Sequence, residues 1–478
     1  MKNIFWSLTN SFVTRGFGAI FSIVLGHLIL PGELGTYVTL MIIATTVSQL
    51  FGLQIGKGVI QKINSSLNSE RNLYFSSGLL GILFLSLLAI ATLFLLQWNL
   101  IDLFDIHRSN ELFYFILPLV FLIIGKEYFM HILQAELRMK RIAKINILAA
   151  IIQILLTLAL VELGYGIKGI FVGLYCANGF AFFVMGYFAF RNFNLQFSNE
   201  ILKYGKSLIK FSSLIYIGSI AVLLDKQIDL LLVSHFLPKE EVAVYNYAVK
   251  FSLLILVFGN SISRVTFPKM TQAFSTFSDK KINEIFTKSI NYSFFILSVG
   301  VLFVLFHISF IIGLILPDFY LNMIPALTIL MGSLLLFASW SSIGSIFTSK
   351  GIPGYSSVLN WIALLINIIL SILLIPEFGI IGAAISTSVS FLFRFVAGII
   401  LVEIKIKTHY NYTNLLISYL LAVSLIGANF FVLENMIIKE LILITYLILC
   451  YLILFGRTKD DLFKRLLKHI FLKYKISD

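Results

Sequence analysis

About fourteen apolar windows of roughly twenty residues run through this chain, each closed by a polar, Gly or Pro break. At 1.5 Å rise per residue, a window of that length is what a helix needs to cross a hydrocarbon layer about 30 Å thick. The windows fall at 4–30, 37–60, 73–97, 112–134, 145–163, 169–190, 207–236, 243–267, 289–316, 326–349, 357–375, 381–401, 415–433 and 441–455. Composition agrees: 59% hydrophobic residues, 46 Phe and a mean hydropathy of +0.96 exceed what a soluble core requires. The sequence therefore predicts an all-α, polytopic membrane protein with about 14 transmembrane helices. The first window is too long for a removed signal peptide and has no small-residue cleavage site, so it is expected to stay as a helix.

Charge orders these windows. Of the 36 Lys and Arg residues, 25 lie in one alternating set of loops and the tail, and four (Arg108, Lys168, Lys239 and Lys439) lie in the opposite set. Positive residues are retained on the cytoplasmic side, which predicts two cytoplasmic termini. The formal charge of +13 is then a topological signal, and no nucleic-acid partner is expected. The Lys/Arg-poor loops, such as 31–36 and 376–381, are too short to hold a folded domain. Cys176 and Cys450 both lie in apolar windows and cannot form a disulfide framework or a four-ligand zinc site. Residues 457–478 read as a cytoplasmic basic amphipathic tail, with Leu462, Leu466 and Ile470 on one face and Lys464, Arg465 and Lys468 on the other.

Two loop signatures recur. His27-Leu-Ile-Leu-Pro-Gly-Glu-Leu-Gly-Thr-Tyr37 is echoed by His235-Phe-Leu-Pro-Lys-Glu-Glu-Val-Ala-Val-Tyr245, and Gly166-Ile-Lys-Gly169 by Gly379-Ile-Ile-Gly382. The offsets, 208 and 213 residues, nearly agree, which predicts two repeated halves of six windows each. These are an N-terminal six-helix lobe over 1–200 and a C-terminal six-helix lobe over 201–403. Two additional transmembrane helices over 404–456 and the tail follow.

Several stretches resemble the polysaccharide transporter family, which includes the Wzx-type O-antigen flippases, within the multidrug, oligosaccharidyl-lipid and polysaccharide exporter superfamily. They are Leu30-Pro-Gly-Glu-Leu-Gly-Thr-Tyr37, Asp229-Leu-Leu-Leu-Val-Ser-His-Phe-Leu-Pro238, Val244-Tyr-Asn-Tyr-Ala-Val-Lys250, Phe267-Pro268 and Leu374-Ile-Pro-Glu-Phe-Gly-Ile-Ile-Gly-Ala-Ala384. The resemblance implies two six-helix lobes around a central cavity in a bacterial inner membrane. It also implies alternating-access export of an undecaprenyl-diphosphate-linked oligosaccharide, such as an O-antigen, capsule or exopolysaccharide unit. Its partners would be that lipid-linked glycan, membrane lipids and the polysaccharide polymerase machinery. No enzymatic step and no bound cofactor are expected, only coupling to an H+ or Na+ gradient or to the membrane potential.

Ionisable residues inside the windows are the candidate site. A cation at bilayer depth costs about 3 kcal/mol on insertion scales, so it normally faces a partner or a water-filled cavity. Arg15, Lys126, Lys250 and Arg394 lie deep, with Lys226 also inside its window; Lys57 and Arg264 are within a turn of their window ends and are expected to snorkel. A diphosphate needs such donors, Arg as a planar fork and Lys as a point charge. The resemblance favours Arg15 and Lys250; depth alone supports Arg394. Glu127, Asp225 and Asp229 are the deep acids. Asp225 and Asp229, four apart on one expected helix, share a face, which suits either ion coupling or a salt bridge between helices.

Other chemistries fit poorly. Gly52-Leu-Gln-Ile-Gly-Lys-Gly58 imitates a phosphate loop but has one residue too few between its glycines and Gly after the Lys. No zinc-protease or nucleophile-elbow motif occurs. A drug or cation antiporter of the same superfamily would favour an acidic cavity, whereas deep cations outnumber deep acids here. An integral membrane polysaccharide polymerase would want a long outer loop, and none is present.

Overall fold

The computed structural model describes residues 16–66, 68–106, 110–275, 279–337, 339–408, 410, 412–431 and 436–455. Among these, the regular structure is helical throughout, and nine helices are long and apolar enough to cross a membrane. Two of the nine, Met139–Phe190 and Gly354–Ile406, run for 52 and 53 residues, more than twice one crossing, and each is bent at a glycine. The exteriors are apolar: Phe84, Leu95 and Phe183 are all well exposed, the pattern of helices solvated by lipid. The chain forms two compact units. One comprises Met1–Lys250, Ile312–Ala326 and Asn360–Thr387; the other comprises Phe251–Ile311, Leu327–Leu359 and Ser388–Asp478. In the first unit the helix Gly166–Phe190 packs on both Met139–Leu160 and Ile116–Ala135. In the second, Asp279–Phe306 packs on Tyr412–Phe431 and Met436–Phe455. The amphipathic tail, residues 457–478, lies outside the described residues.

The repeated Gly-Ile-x-Gly signature has a backbone cause. Gly166 sits at φ 50°, ψ −132° and Gly379 at φ 58°, ψ −138°, one and the same conformation and one essentially closed to residues with a Cβ. Each glycine reverses the chain between two spans. The second glycine of each signature then lets the new helix close on the old one: a Cβ at Gly169 would press on Leu160, and one at Gly382 would overlap the Leu374 carbonyl. The sequence repeat is thus a repeat of a turn.

The other signature forms two elbows that abut. Leu30 and Leu237 are both extended, at ψ 143° and 157°, and each leads into a helix, Pro31–Phe51 with Pro at its first position and Lys239–Ser275. A Cβ at Gly35 would overlap the Lys239 carbonyl, so glycine there is what allows the two backbones to touch. Thr39 Oγ1 and Ser234 Oγ hydrogen-bond at 2.7 Å beside this contact, and Lys239 Nζ donates to the carbonyls of Phe104 and, at 3.0 Å, Ser234. Tyr37 and Tyr245 are buried at equivalent positions.

Helix breaks are more numerous than the hydropathy windows indicate. The window 37–60 is divided at Gly52–Gln54, where Leu53 and Gln54 adopt φ of 43° and 54°, before the helix Ile55–Ser65 begins. This is where the phosphate-loop imitation lies, and its glycines serve packing: Gly56 faces the His131 ring and Gly58 the Ser212 hydroxyl. The window 207–236 is broken by a turn at Lys226–Gln227 between helices Ile201–Asp225 and Ile228–Phe236. The window 289–316 is broken at His307, between Asp279–Phe306 and Ile308–Ile315.

Two outcomes follow. Replacing Gly379 or Gly166 by Ala should destabilise the protein by about 1–3 kcal/mol, the cost of a Cβ in that backbone region. Gly427→Ala, in a helix with open space around the added methyl, should leave the thermal midpoint in detergent unchanged or slightly raised. Burial pushes the Lys239 ammonium, at the mouth of its helix, down from 10.5 to about 8, against the pull of Asp105 and Glu240. Between those two values the unfolded chain holds the proton and the folded chain does not. The stability contributed by Lys239 therefore rises with pH across that window and is lowest at and below its lower end. Comparing melting temperatures at about pH 7.5 and pH 10 in Lys239→Met and wild type should show a flatter pH dependence in the variant.

Candidate functional site

Asp229 stands in the first turn of the helix Ile228–Phe236, just after the chain has broken at Lys226–Gln227. It is 8% exposed, which places a carboxylate inside the protein. Two side chains from the helix Gly354–Ile406 hold it. Asn367 Nδ2 donates to Oδ1 at 2.6 Å and Thr387 Oγ1 donates to Oδ2 at 2.7 Å, while Ser371 Oγ donates at 3.1 Å to the Asn367 carbonyl oxygen, fixing the amide's orientation. Tyr245 is buried in the same neighbourhood. The turn at Gly379 brings these donors together, because Asn367 precedes it and Thr387 follows it on the returning segment. Hydrogen bonds to an ionised oxygen are roughly twice as strong as neutral ones, so this cluster can hold a buried charge or bind its neutralising proton or cation.

The shared face inferred for Asp225 and Asp229 assumes one continuous helix, and the turn at Lys226–Gln227 separates them: Asp225 ends its helix half-buried and Asp229 begins the next one buried. Lys226, at the break, is exposed.

Lys250 projects from the long helix Lys239–Ser275 toward the first helix, Gly16–Leu28. Its ammonium donates to Ser22 Oγ at 2.9 Å, and Tyr247, one turn earlier, donates its hydroxyl to the Ser22 carbonyl. Ser22 Oγ in turn donates to the Gly18 carbonyl at 2.9 Å. Lys250 remains exposed although its charged end is held, the state of a cation positioned but still able to meet a ligand. Arg15, the other cation favoured by resemblance, lies outside the described residues.

Lys126 and Glu127 open onto a cavity of about 350 Å³ lined by the first helix (Phe17, Gly18, Phe21) and by Asn146, Gln153 and Asn178. The Lys126 ammonium donates to Asn178 Oδ1 at 2.6 Å, and Asn178 Nδ2 donates to the Leu174 carbonyl at 2.8 Å. Glu127 is exposed on the neighbouring position and also lines a small space of about 40 Å³ beside Gln54 and His131, at the break in the second window. Two adjacent residues of opposite charge, pointing about 100° apart, thus meet polar surroundings without pairing directly.

Arg394 has a different setting. It is 3% exposed, and its guanidinium lies over the rings of Phe337 and Phe391, 5.6 and 5.7 Å from their centroids; those two rings stack on each other at 4.0 Å. This is a cation buried on aromatic faces. Several other polar residues serve packing: Asn291 takes the Tyr410 hydroxyl and donates to the Leu454 carbonyl at 3.0 Å, and Tyr128 donates to the Phe75 carbonyl at 2.6 Å.

Sequence reasoning did not find Ser22, Asn178 or Thr387. The partners of Asp229 lie 138 and 158 residues away along the chain, a separation at which spacing carries no signal.

Residues 1–274 match the family described as polysaccharide biosynthesis protein. Among curated proteins, the chain is 25% identical over 189 residues to a probable low-salt glycan biosynthesis flippase, Agl15, of Haloferax volcanii, covering 40% of each chain. It is 27% identical over 281 residues to an uncharacterized membrane protein of Methanocaldococcus jannaschii, covering 57% of this chain and 54% of that one. The chain thus spans about half or less of the length of these relatives. Among solved structures, the lipid II flippase MurJ in an inward closed conformation superposes with a TM-score of 0.78 at 18% identity, covering 95% of this chain and 99% of that chain. That likeness is one of fold. With more than half of its length matched, the chain belongs to the polysaccharide biosynthesis protein family, as a polytopic helical membrane protein.

Proposed function

We propose that this protein moves a lipid-linked glycan across a membrane. The observation that carries the reading is Lys250, a cation from a long apolar helix positioned on Ser22 of the first helix yet still exposed. A diphosphate that leaves the headgroup region needs such a donor, and an ammonium on a flexible stem can follow it. The cargo is an undecaprenyl-diphosphate-linked oligosaccharide, the repeat unit of an O-antigen, capsule or exopolysaccharide. It passes by alternating access from the cytoplasmic to the outer leaflet of a bacterial inner membrane in which both termini are cytoplasmic. The family match and the glycan biosynthesis flippase of Haloferax volcanii that the chain resembles support the cargo class. The MurJ-like fold supports a transporter without a covalent step. The polysaccharide polymerase machinery is the proposed recipient of the product.

The driving force we assign to Asp229 and to the membrane potential. A buried carboxylate gripped by an amide and a hydroxyl can exchange a proton or Na+ with changes in its surroundings. The negative headgroup itself gains about 2.3 kcal/mol per charge for each 100 mV traversed outward. Arg15, Lys126 and Lys226 are the further candidates for diphosphate contact. Arg394, seated on Phe337 and Phe391, is proposed last among them.

Transport of a labelled lipid-diphosphate glycan in vesicles tests this. Lys250→Ala should slow it by roughly ten- to a hundredfold, the range for loss of a hydrogen bond to a charged group, and Lys250→Arg should recover part of the rate. Asp229→Asn should remove the dependence on an imposed ion gradient while leaving potential-driven movement. Wild-type rates in Lys250→Ala at equal protein level would reject the cation's role, and unchanged gradient dependence in Asp229→Asn would reject the coupling.

A further inference from the structure

Four connections of the first unit gather at one end of its helices and enclose a cavity of about 1140 Å³. They are the elbow before Pro31–Phe51, the residues Asp105, Ile106, Glu111 and Leu112, the glycine turn at Gly164–Gly166 and the elbow before Lys239–Ser275. None of this belongs to the clusters around Asp229, Lys250 or Lys126. The cavity exceeds the usual 300–1,000 Å³ of a small-molecule site.

Its lining selects a chemistry. Among the described residues, Glu33, Asp105, Glu111 and Glu240 contribute four carboxylates, all exposed, against two ammonium groups. Those two are engaged: Lys168 lies 3.4 Å from Glu111, and Lys239 donates to the Phe104 and Ser234 carbonyls. Such a surface repels phosphate and accepts hydrogen bonds from hydroxyl or amine donors. Tyr165 adds an aromatic ring, 60% exposed, between Gly164 and Gly166, both at positive φ. Carboxylate acceptors, an exposed tyrosine and room for several rings together suit a carbohydrate of uncharged or amine-bearing sugars. The cavity also lies among the Lys/Arg-poor loops, which the charge asymmetry places on the releasing side.

We propose that this cavity is a glycan-binding vestibule, which engages the sugar part of the cargo while the cations within the spans engage its diphosphate. The inference rests on the proposed function, since it presupposes a glycan as cargo and this end as the exit. It divides the cargo between two sites of opposite charge, so that the anionic headgroup is excluded from the vestibule that the sugars occupy.

The test uses the full protein in vesicles with two probes: the source organism's own lipid-linked repeat unit, and the same lipid trimmed enzymatically to its first sugar. Tyr165→Ala and Glu33→Gln should slow the full unit by roughly two- to tenfold, as expected for the loss of one aromatic or hydrogen-bonding contact, and leave the trimmed lipid at the wild-type rate. Wild-type rates for both probes in both variants would overturn the vestibule, as would equal slowing of both probes. Wild-type protein that moves neither probe would instead overturn the glycan-transport reading and the vestibule with it.

Discussion

Hydrocarbon offers no hydrogen bonds, so every charge and every interrupted turn of backbone within these helices must find its partner inside the protein. The cluster at Asp229 shows how demanding this is. A carboxylate placed at a helix break would be intolerable alone; it is kept by an amide and a hydroxyl from a helix more than a hundred residues away, and that amide is itself oriented by Ser371. The glycine turn at Gly379 is therefore more than a way to reverse the chain. It sets Asn367 and Thr387 on two antiparallel arms at the separation one carboxylate can bridge.

The same constraint explains what could be read from the sequence. Apolar windows of spanning length reveal a polytopic helical protein because lipid permits few other arrangements. The two loop signatures were legible because each is a local backbone requirement: only glycine occupies the conformation shared by Gly166 and Gly379, so it recurs wherever that turn recurs. The breaks at Leu53–Gln54 and Lys226–Gln227 left no such trace. At the first, neither Leu nor Gln is a residue type that favours the left-handed region Leu53 and Gln54 occupy; at the second, Lys226 and Gln227 keep negative φ, and neither residue type marks a helix stop. The face inferred for Asp225 and Asp229 presumed one continuous helix, and the turn at Lys226–Gln227 interrupts it: a spacing of four fixes a common face only while the helix continues.

Depth along a window proved a weaker guide to role than the identity of the neighbours. Lys250 and Arg394 are both cations well inside apolar helices, and the sequence treats them alike. Lys250 rests on a serine hydroxyl and stays exposed, whereas Arg394 is enclosed against two stacked phenylalanines. A guanidinium is weakly hydrated and tolerates an aromatic face; an ammonium is strongly hydrated and seeks oxygen. The choice of Lys at one position and Arg at the other thus follows the local environment. Lys126 obeys the same preference, finding the amide oxygen of Asn178 in a cavity rather than a ring.

Charge sign also varies with position along the helices in a way that no single residue reveals. Among the described residues of the first unit, Lys126 and Lys250 are positioned cations within the spans, while in the cavity lining at the end where the connections gather carboxylates prevail. A surface built from short connections can hold such a field only if the turns are tight, because a longer loop would fold its own side chains into the space. The tightness comes from Gly164, Gly166 and the elbow contact at Gly35. The backbone requirements that make the fold recognisable as a repeat are therefore the ones that leave a cavity open at its end.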